Sequence, residues 1–255
     1  MTQRQVKAAV LLIGDEILSG RTQDINLQAI AKFLGPLGVQ LAEARVAPDV
    51  PDEIVAAVNA LRSKYDYVFT TGGIGPTHDD KTADAMAVAF GVGIDVRDDA
   101  LAILEAHYKG RSSLNESRLR MARIPDTASL IANPVSKAPG FQIGNVFVMA
   151  GVPSIMRGML EDISHRIEGG AIVRARTIRA KGVPEGDIAD GLGALEAATN
   201  GVVGFGSYPW FTPEGFGVHL VARSADSEAL EKAIVDLQAL VRSRGGEPEE
   251  VTDPA

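Results

Sequence analysis

The sequence predicts an α/β protein built on a mainly parallel sheet and followed by a smaller α+β unit. Three observations carry that prediction. Short apolar runs alternate with segments of helical spacing as far as Arg166. The runs stop at glycine-bearing turns, after Ile13, Thr71 and Met149. Near Gly169-Gly170 the texture changes to an alternating strand and a hairpin.

The elements follow in order. Lys7–Ile13 is a continuous apolar run that suits a strand buried on both faces. Asn26–Leu37 places Leu27, Ile30, Ala31, Leu34 and Leu37 at helical spacing, with Gly35-Pro36 and Gly38 closing the helix. Val39–Val46 reads as a second strand, and Asp52–Ser63 as a helix with Pro51 ahead of its acidic first turn. Tyr65–Thr71 is a strand that ends at Gly72-Gly73. Helices follow at 80–90, 100–109 and 115–122, then a strand at 145–149 and a helix at 154–166. Beyond residue 170 come an alternating strand (171–181), a helix (185–198), two strands (202–208 and 217–223) around a Pro209–Gly215 turn, and a final amphipathic helix (227–242). The expected domains are therefore 1–170 and 171–245, with a Glu- and Pro-rich disordered tail over 246–255.

Composition narrows the chemistry. The 255 residues contain no Cys, which excludes disulfide frameworks, thiolate nucleophiles, Cys-ligated zinc and iron–sulfur clusters. Against 33 Asp+Glu stand 25 Lys+Arg, a formal net charge of −8, which argues against nucleic-acid binding through a broad basic face. An anionic ligand would need a local device. No run approaches the ~18–20 apolar residues of a membrane helix, and the polar start of the chain lacks a signal-peptide pattern, so a cytoplasmic protein with no membrane partner is expected.

In a parallel α/β sheet, ligands sit beyond the carboxyl ends of the strands, so the loops after residues 13, 71 and 149 carry the candidate chemistry. The first, from Gly14 to Asn26, packs Asp15, Glu16, Ser19, Arg21 and Asn26 together. There Asp15 or Glu16 could hold a divalent cation and Ser19 could meet a phosphate or ring, or Asp15, Asp24 and Asn26 could simply cap helices. The second, Thr70 to Thr82, places Gly72, Gly73 and Gly75 where backbone amides can form an anion-binding nest, with Asp79 and Asp80 beside it. An amide nest with paired carboxylates is what a magnesium-assisted phosphoanhydride site needs. His78 reads as a polar loop residue, and no P-loop or dinucleotide fingerprint occurs. The third, Asn133–Phe141 and Met149–Ser154, is stiffened by Pro and Gly and is compatible with plain turn chemistry.

Taken in order, GDEILSGRTQDIN, TTGGIGPTHDDKTADAMA, NPVSKAPGF and AGVPSIM resemble the molybdopterin-binding fold of the MoaB and MogA proteins. They look most like its version at the N-terminus of CinA and in the extra domain of eukaryotic FAD synthases, across roughly residues 7–165. The resemblance implies a three-layer sheet of MoaB/MogA type, and the tail is similar to the small KH-type domain that follows it in CinA. For adenylyl transfer to molybdopterin, it implies Asp52 and Asp80 as functional acids. For metal-dependent hydrolysis of ADP-ribose or FAD, it implies Asp79 and Asp80 as catalytic acids and a Mg²⁺-like cation held by Asp15, Asp79 and Asp80. The implied ligand-binding set is Gly14, Ser19, Asn26, Gly72, Gly73, Gly75, Thr77, Asn133, Lys137, Pro139, Gly140 and Gly151.

Two departures stand out. Ser136 replaces the usual Gly of the third motif, which brings the loop's shape into question, while Lys137 beside it offers a new cation for a phosphate. Ala150 replaces the usual Pro of the fourth motif. The resemblance further implies a nucleotide or pterin ligand and a homodimer or homotrimer. The deamidase domain of longer CinA-like proteins and the nucleotidyl-transfer domain of FAD synthase do not occur in these 255 residues, so neither activity is expected. Gly201-Val202-Val203-Gly204 has Gly-x-x-Gly spacing but an apolar centre ahead of a strand, which disfavours RNA binding.

Overall fold

The computed structural model describes residues 4–109, 113–213 and 215–252, and it divides into two units, Met1–Gly170 and Ala171–Ala255. In the first unit the chain runs β1 (Val6–Ile13), α1 (Asp15–Leu18), α2 (Asn26–Leu34), β2 (Val39–Ala47), α3 (Pro51–Arg62), β3 (Tyr67–Thr71) and α4 (Thr82–Phe90). It continues through β4 (Ile94–Val96), α5 (Asp98–Tyr108), α6 (Glu116–Leu119), β5 (Arg123–Pro125), β6 (Ser129–Ile131), β7 (Gly140–Ile143), β8 (Val146–Met149) and α7 (Pro153–Ile163).

The main sheet has the order β2-β1-β3-β8-β7-β6. Strands β2, β1, β3 and β8 are parallel, and β7 runs antiparallel between β8 and β6. β1 is buried along its length except at Lys7 because both of its faces are covered. Its Ala9, Leu11 and Ile13 pack with Ile54, Val58 and Leu61 of α3, Met86 of α4 and Leu104 of α5. The alternate residues Ala8, Val10 and Leu12 pack with Ile30 and Leu34 of α2 and Met156, Met159 and Ile163 of α7. The period of two along β1 thus creates a three-layer molecule. Helix α3 starts with Pro51, whose missing N–H costs nothing in a first turn. Asp24 caps α2 by accepting the Leu27 N–H at 2.9 Å, so the capping role considered for Asp24 is realised.

The second unit comprises β9 (Arg174–Lys181), α8 (Glu185–Ala198), β10 (Gly204–Thr212), β11 (Gly215–Ser224), α9 (Ser227–Ser243) and β12 (Glu247–Val251). Its antiparallel sheet has the order β10-β11-β9-β12. Ile178, Ala180, Val218 and Leu220 form a core with Ile188 of α8 and Leu230, Ile234 and Leu237 of α9.

Two expectations are corrected here. Residues 253–255 of the segment expected to be a disordered tail lie outside the described residues, and within that segment Glu247–Val251 forms β12, paired antiparallel to β9. Its Glu250 receives two hydrogen bonds from Arg176, at 2.6 and 2.8 Å, so the acidic run that suggested disorder is neutralised by β9. The turn expected at Pro209–Gly215 shrinks to the tip of the hairpin, and Tyr208 through Phe211 lie within β10. There Pro209 lies opposite Val218 in β10, an edge strand of the sheet, where a proline is tolerated, and the Arg179 guanidinium stacks on the Trp210 ring at 4.6 Å. No described helix is long and apolar enough to cross a membrane.

Candidate functional site

The carboxyl ends of β1, β3 and β8 lie side by side because these strands are neighbours in the parallel sheet. The turns that follow can approach one another only where side chains are missing. A Cβ on Gly72 (φ 102°) would sit 2.1 Å from the Ile13 carbonyl oxygen, and one on Gly151 would meet the Gly72 Cα at 3.3 Å. Gly73 (φ 67°) leaves room for the Thr82 hydroxyl, which donates to the Gly72 carbonyl at 2.9 Å. These contacts explain why the loops are glycine-rich.

Around them opens a pocket of about 590 Å³. Six of the residues expected at the site line it: Gly72, Gly73, Gly75, Asp80, Asn133 and Gly151. Its wall also includes Glu16, Thr22, Tyr108, Met121 and Ser136. Tyr108 offers an aromatic surface and carries the Arg118 guanidinium over its ring at 4.5 Å. A smaller recess of about 20 Å³ shares Gly73, Gly75, Asp80 and Met121 with the pocket and adds Asp84, Arg120, Arg123 and Pro139.

Asp80 is turned onto its own loop. Its Oδ1 accepts the Gly75 N–H at 2.7 Å, and its Oδ2 accepts the Thr77 N–H at 2.8 Å and the Thr77 hydroxyl at 2.5 Å. The polar groups of Thr77 are thereby spent on Asp80, and Thr77 does not line the pocket. Asp79 is exposed. His78 is solvent-exposed, 4.0 Å from Asp79, as a loop residue should be.

A second acidic group gathers on the first loop. Asp49 Oδ2 accepts the Asp15 N–H at 3.1 Å and Asp15 Oδ1 accepts the Asp49 N–H at 3.4 Å, which clasps the loop after β1 to the loop after β2. Burial pushes the Asp49 carboxyl up; the Asp15 amide opposes this, while the charges of Asp15, Glu16 and Asp79 reinforce it.

The expected metal centre is not preassembled. Among the described residues no group of three His, Asp or Glu side chains is placed to hold a metal ion, and both oxygens of Asp80 are already bonded to its loop. Magnesium commonly takes one or two protein carboxylates and completes its shell with substrate phosphates and water. Asp15 and Asp79 are exposed and do not line the pocket, and Asp80 serves as the clamp of the glycine loop.

Other expected positions separate in the same way. Asn26 is buried, and its Nδ2 donates to the Gly151 carbonyl at 2.7 Å, tying α2 to the turn after β8. The Gly14 N–H donates to the Ala47 carbonyl at 3.1 Å. Asp52 lies exposed in the first turn of α3, and Ser19 turns to the Glu16 carbonyl; neither lines the pocket. Gly140 is buried in β7, where a Cβ would lie 2.4 Å from the Val148 carbonyl oxygen.

Asn133 holds the third loop. Its Oδ1 accepts the Val135 and Ser136 N–H groups at 3.0 Å each, and its Nδ2 donates to Ser136 Oγ at 2.6 Å and to the Ala138 carbonyl at 2.8 Å. Within this loop the left-handed residue is Lys137 (φ 66°), not Ser136. Serine is therefore accommodated where the motif has glycine. Lys137 lines a different cavity, with Asp162 and Arg166, and does not line this pocket.

Comparison with known proteins gives the following. Residues 9–168 match the probable molybdopterin binding domain, and residues 173–248 match the middle domain of FAD synthase. A CinA-like protein of Gemmatimonas aurantiaca is 34% identical over 93% of this chain and 58% of its own length. One from Synechococcus is 32% identical over 93% of this chain and 59% of its own. The chain thus spans somewhat under three-fifths of these relatives. The crystal structure of the CinA protein of unknown function from Thermoplasma acidophilum is 36% identical, with a TM-score of 0.59, over 63% of this chain and 96% of that one.

Proposed function

The chain belongs to the family of probable molybdopterin binding domains, with CinA-like proteins among its relatives, and from that membership we propose that it hydrolyses the phosphoanhydride of a nucleotide such as ADP-ribose or FAD. The observation that carries this reading is the pocket of about 590 Å³ at the ends of β1, β3 and β8, lined by glycine backbone and edged by carboxylates. Its volume suits a heterocycle with attached phosphates. The similarity of residues 173–248 to the FAD synthase middle domain supports a flavin dinucleotide as one candidate substrate.

In the proposed reaction the oxygen of water attacks one phosphorus, the bond from that phosphorus to the bridging oxygen breaks, and two monophosphates leave. ADP-ribose gives AMP and ribose 5-phosphate; FAD gives AMP and FMN. The glycine loop, fixed by Asp80, gives the phosphates close approach to the backbone, and Tyr108 packs against the ring. Asp15 and Asp79 are the residues that would hold a divalent ion entering with the substrate, whose chemistry is to neutralise anhydride oxygens and acidify water.

The test is incubation of the purified chain with ADP-ribose or FAD and Mg²⁺, Mn²⁺ or Co²⁺, followed by chromatography for AMP. Release of AMP is expected, and its absence with all three ions overturns the reading. A second reading, binding of molybdopterin or its adenylate, rests on the family match over residues 9–168. Pterin fluorescence in the purified protein would favour it.

A further inference from the structure

Arg120 is the residue that motif reading passed over and that the recess beside the pocket singles out. It follows α6 in a short 3-10 turn, and its guanidinium lines the recess with Gly73, Gly75, Asp80 and Asp84. Both acids of the recess are committed. Asp84 is held by Arg123 in a two-point pair at 2.7 and 2.9 Å, and Asp80 is bonded to Gly75 and Thr77. Arg120 reaches only the Asp80 backbone carbonyl, through Nη2 at 3.3 Å. Its Nε is buried and has no hydrogen-bond partner among the described residues. A buried guanidinium N–H left unpaired is unfavourable, and such a group calls for a missing acceptor.

The size of the recess says what that acceptor is. At about 20 Å³ it has room for one water-sized group, whereas the adjoining pocket of about 590 Å³ has room for a ring system. We propose that Arg120 is the anion anchor of the site, receiving a phosphoryl oxygen of the ligand in the recess while the ring stays in the larger pocket. The charge layout agrees: the charged residues lining the larger pocket are Glu16 and Asp80, whereas in the recess Arg120 and Arg123 offset Asp80 and Asp84. This inference rests on the reading of the pocket as a site for a phosphorylated ligand. It adds the ligand's orientation, with phosphate toward Arg120 and ring toward Tyr108.

The test uses inorganic pyrophosphate as the probe, titrated by calorimetry into the full chain and into Arg120→Gln and Arg120→Lys. The Gln variant is expected to raise Kd by about 10–100-fold, because a hydrogen bond to a charged group is lost. The Lys variant should recover part of that loss, since it keeps the charge but not the planar fork; a merely structural arginine would show no such ordering. Circular dichroism confirms that each variant is folded, and if Gln fails to fold the Lys variant alone decides through its weakened affinity. Wild-type protein that does not bind pyrophosphate, or folded variants that bind it as tightly as wild type, overturn the inference. If pyrophosphate binds through Arg120 but neither ADP-ribose nor FAD is cleaved, the anchor stands and the hydrolase reading falls.

Discussion

In the loop from Gly72 to Asp80 the backbone follows a path that is open because side chains are missing, whereas from Asn133 to Gly140 it follows a path imposed by one side chain. The first needs Gly72 against the Ile13 carbonyl and Gly73 against Thr82. The second needs the four hydrogen bonds of Asn133 and tolerates a lysine at φ 66°. Both loops line the same pocket. The difference teaches that glycine in a site motif reports one of two things, close approach or a left-handed dihedral, and only the first is beyond repair by other residues.

Substitutions should separate these mechanisms in a definite order. Gly72→Ala should do the most damage, because its Cβ would sit 2.1 Å from a backbone atom at a positive φ. A loss above about 4 kcal/mol is expected in urea unfolding; a variant within about 1 kcal/mol of wild type would break the comparison. Asn133→Ala should cost about 2–3 kcal/mol in the same experiment, since it removes the buried side chain that holds two amides and a carbonyl of an otherwise partly exposed loop. Asp80→Asn retains one good acceptor for the Gly75 and Thr77 amides, so its stability cost should be only about 1–2 kcal/mol. Its effect on AMP release should exceed about tenfold because the loop it clamps lines the pocket; full activity in this variant would remove Asp80 from the site.

Lys137→Gly should go the other way. Relieving a left-handed dihedral while gaining chain entropy in the unfolded state should leave a net stabilisation of about 0.5–1 kcal/mol, and a loss would show that the lysine side chain matters to the loop. The smallest effect belongs to Asp49. Its carboxyl is raised in the folded protein, so the unfolded state gives up its proton at lower pH, and the charged form costs stability as pH rises past the ordinary Asp value of about 3.9. Asp49→Asn should therefore raise the urea midpoint slightly at pH 7 and change it little near pH 3. The reverse pattern would mean that the Asp15–Asp49 clasp needs the charge.

Much of this architecture was legible in sequence because both of its signals are local. The apolar run of Lys7–Ile13 announces a strand buried on two faces, and Ile54, Val58 and Leu61 announce the buried face of α3. The glycines of the second loop marked the pocket for the same reason, since each is needed by its immediate neighbours. What escaped is non-local. β4 and β5 are three residues each and are strands only by pairing with one another across a gap of 26 residues between Val96 and Arg123. Glu247–Val251 looked disordered until Arg176 and Arg179 of β9 supplied its counter-charges. Tyr108 and Arg120 carry no motif at all; a helix end and a short turn bring them to the site. The bonding of Asp80 escaped for a related reason, because sequence shows that Asp80 is near the glycines but not that it is already bonded to them.

The residues that line the pocket run from Glu16 to Ile155 and come from widely separated segments of the first unit, with none from the second. The cavity therefore exists only when the first unit's sheet is complete, and a partly unfolded chain has no fragment of it to offer. Occupancy then becomes a thermometer of that unit: at 100 times its Kd a ligand adds about 2.7 kcal/mol to the stability of the first unit and nothing directly to the second. In a calorimetric scan, saturation should move the melting of residues up to Gly170 and leave the intrinsic stability of the remainder unchanged, so the ligand itself reports which half of the molecule it holds together.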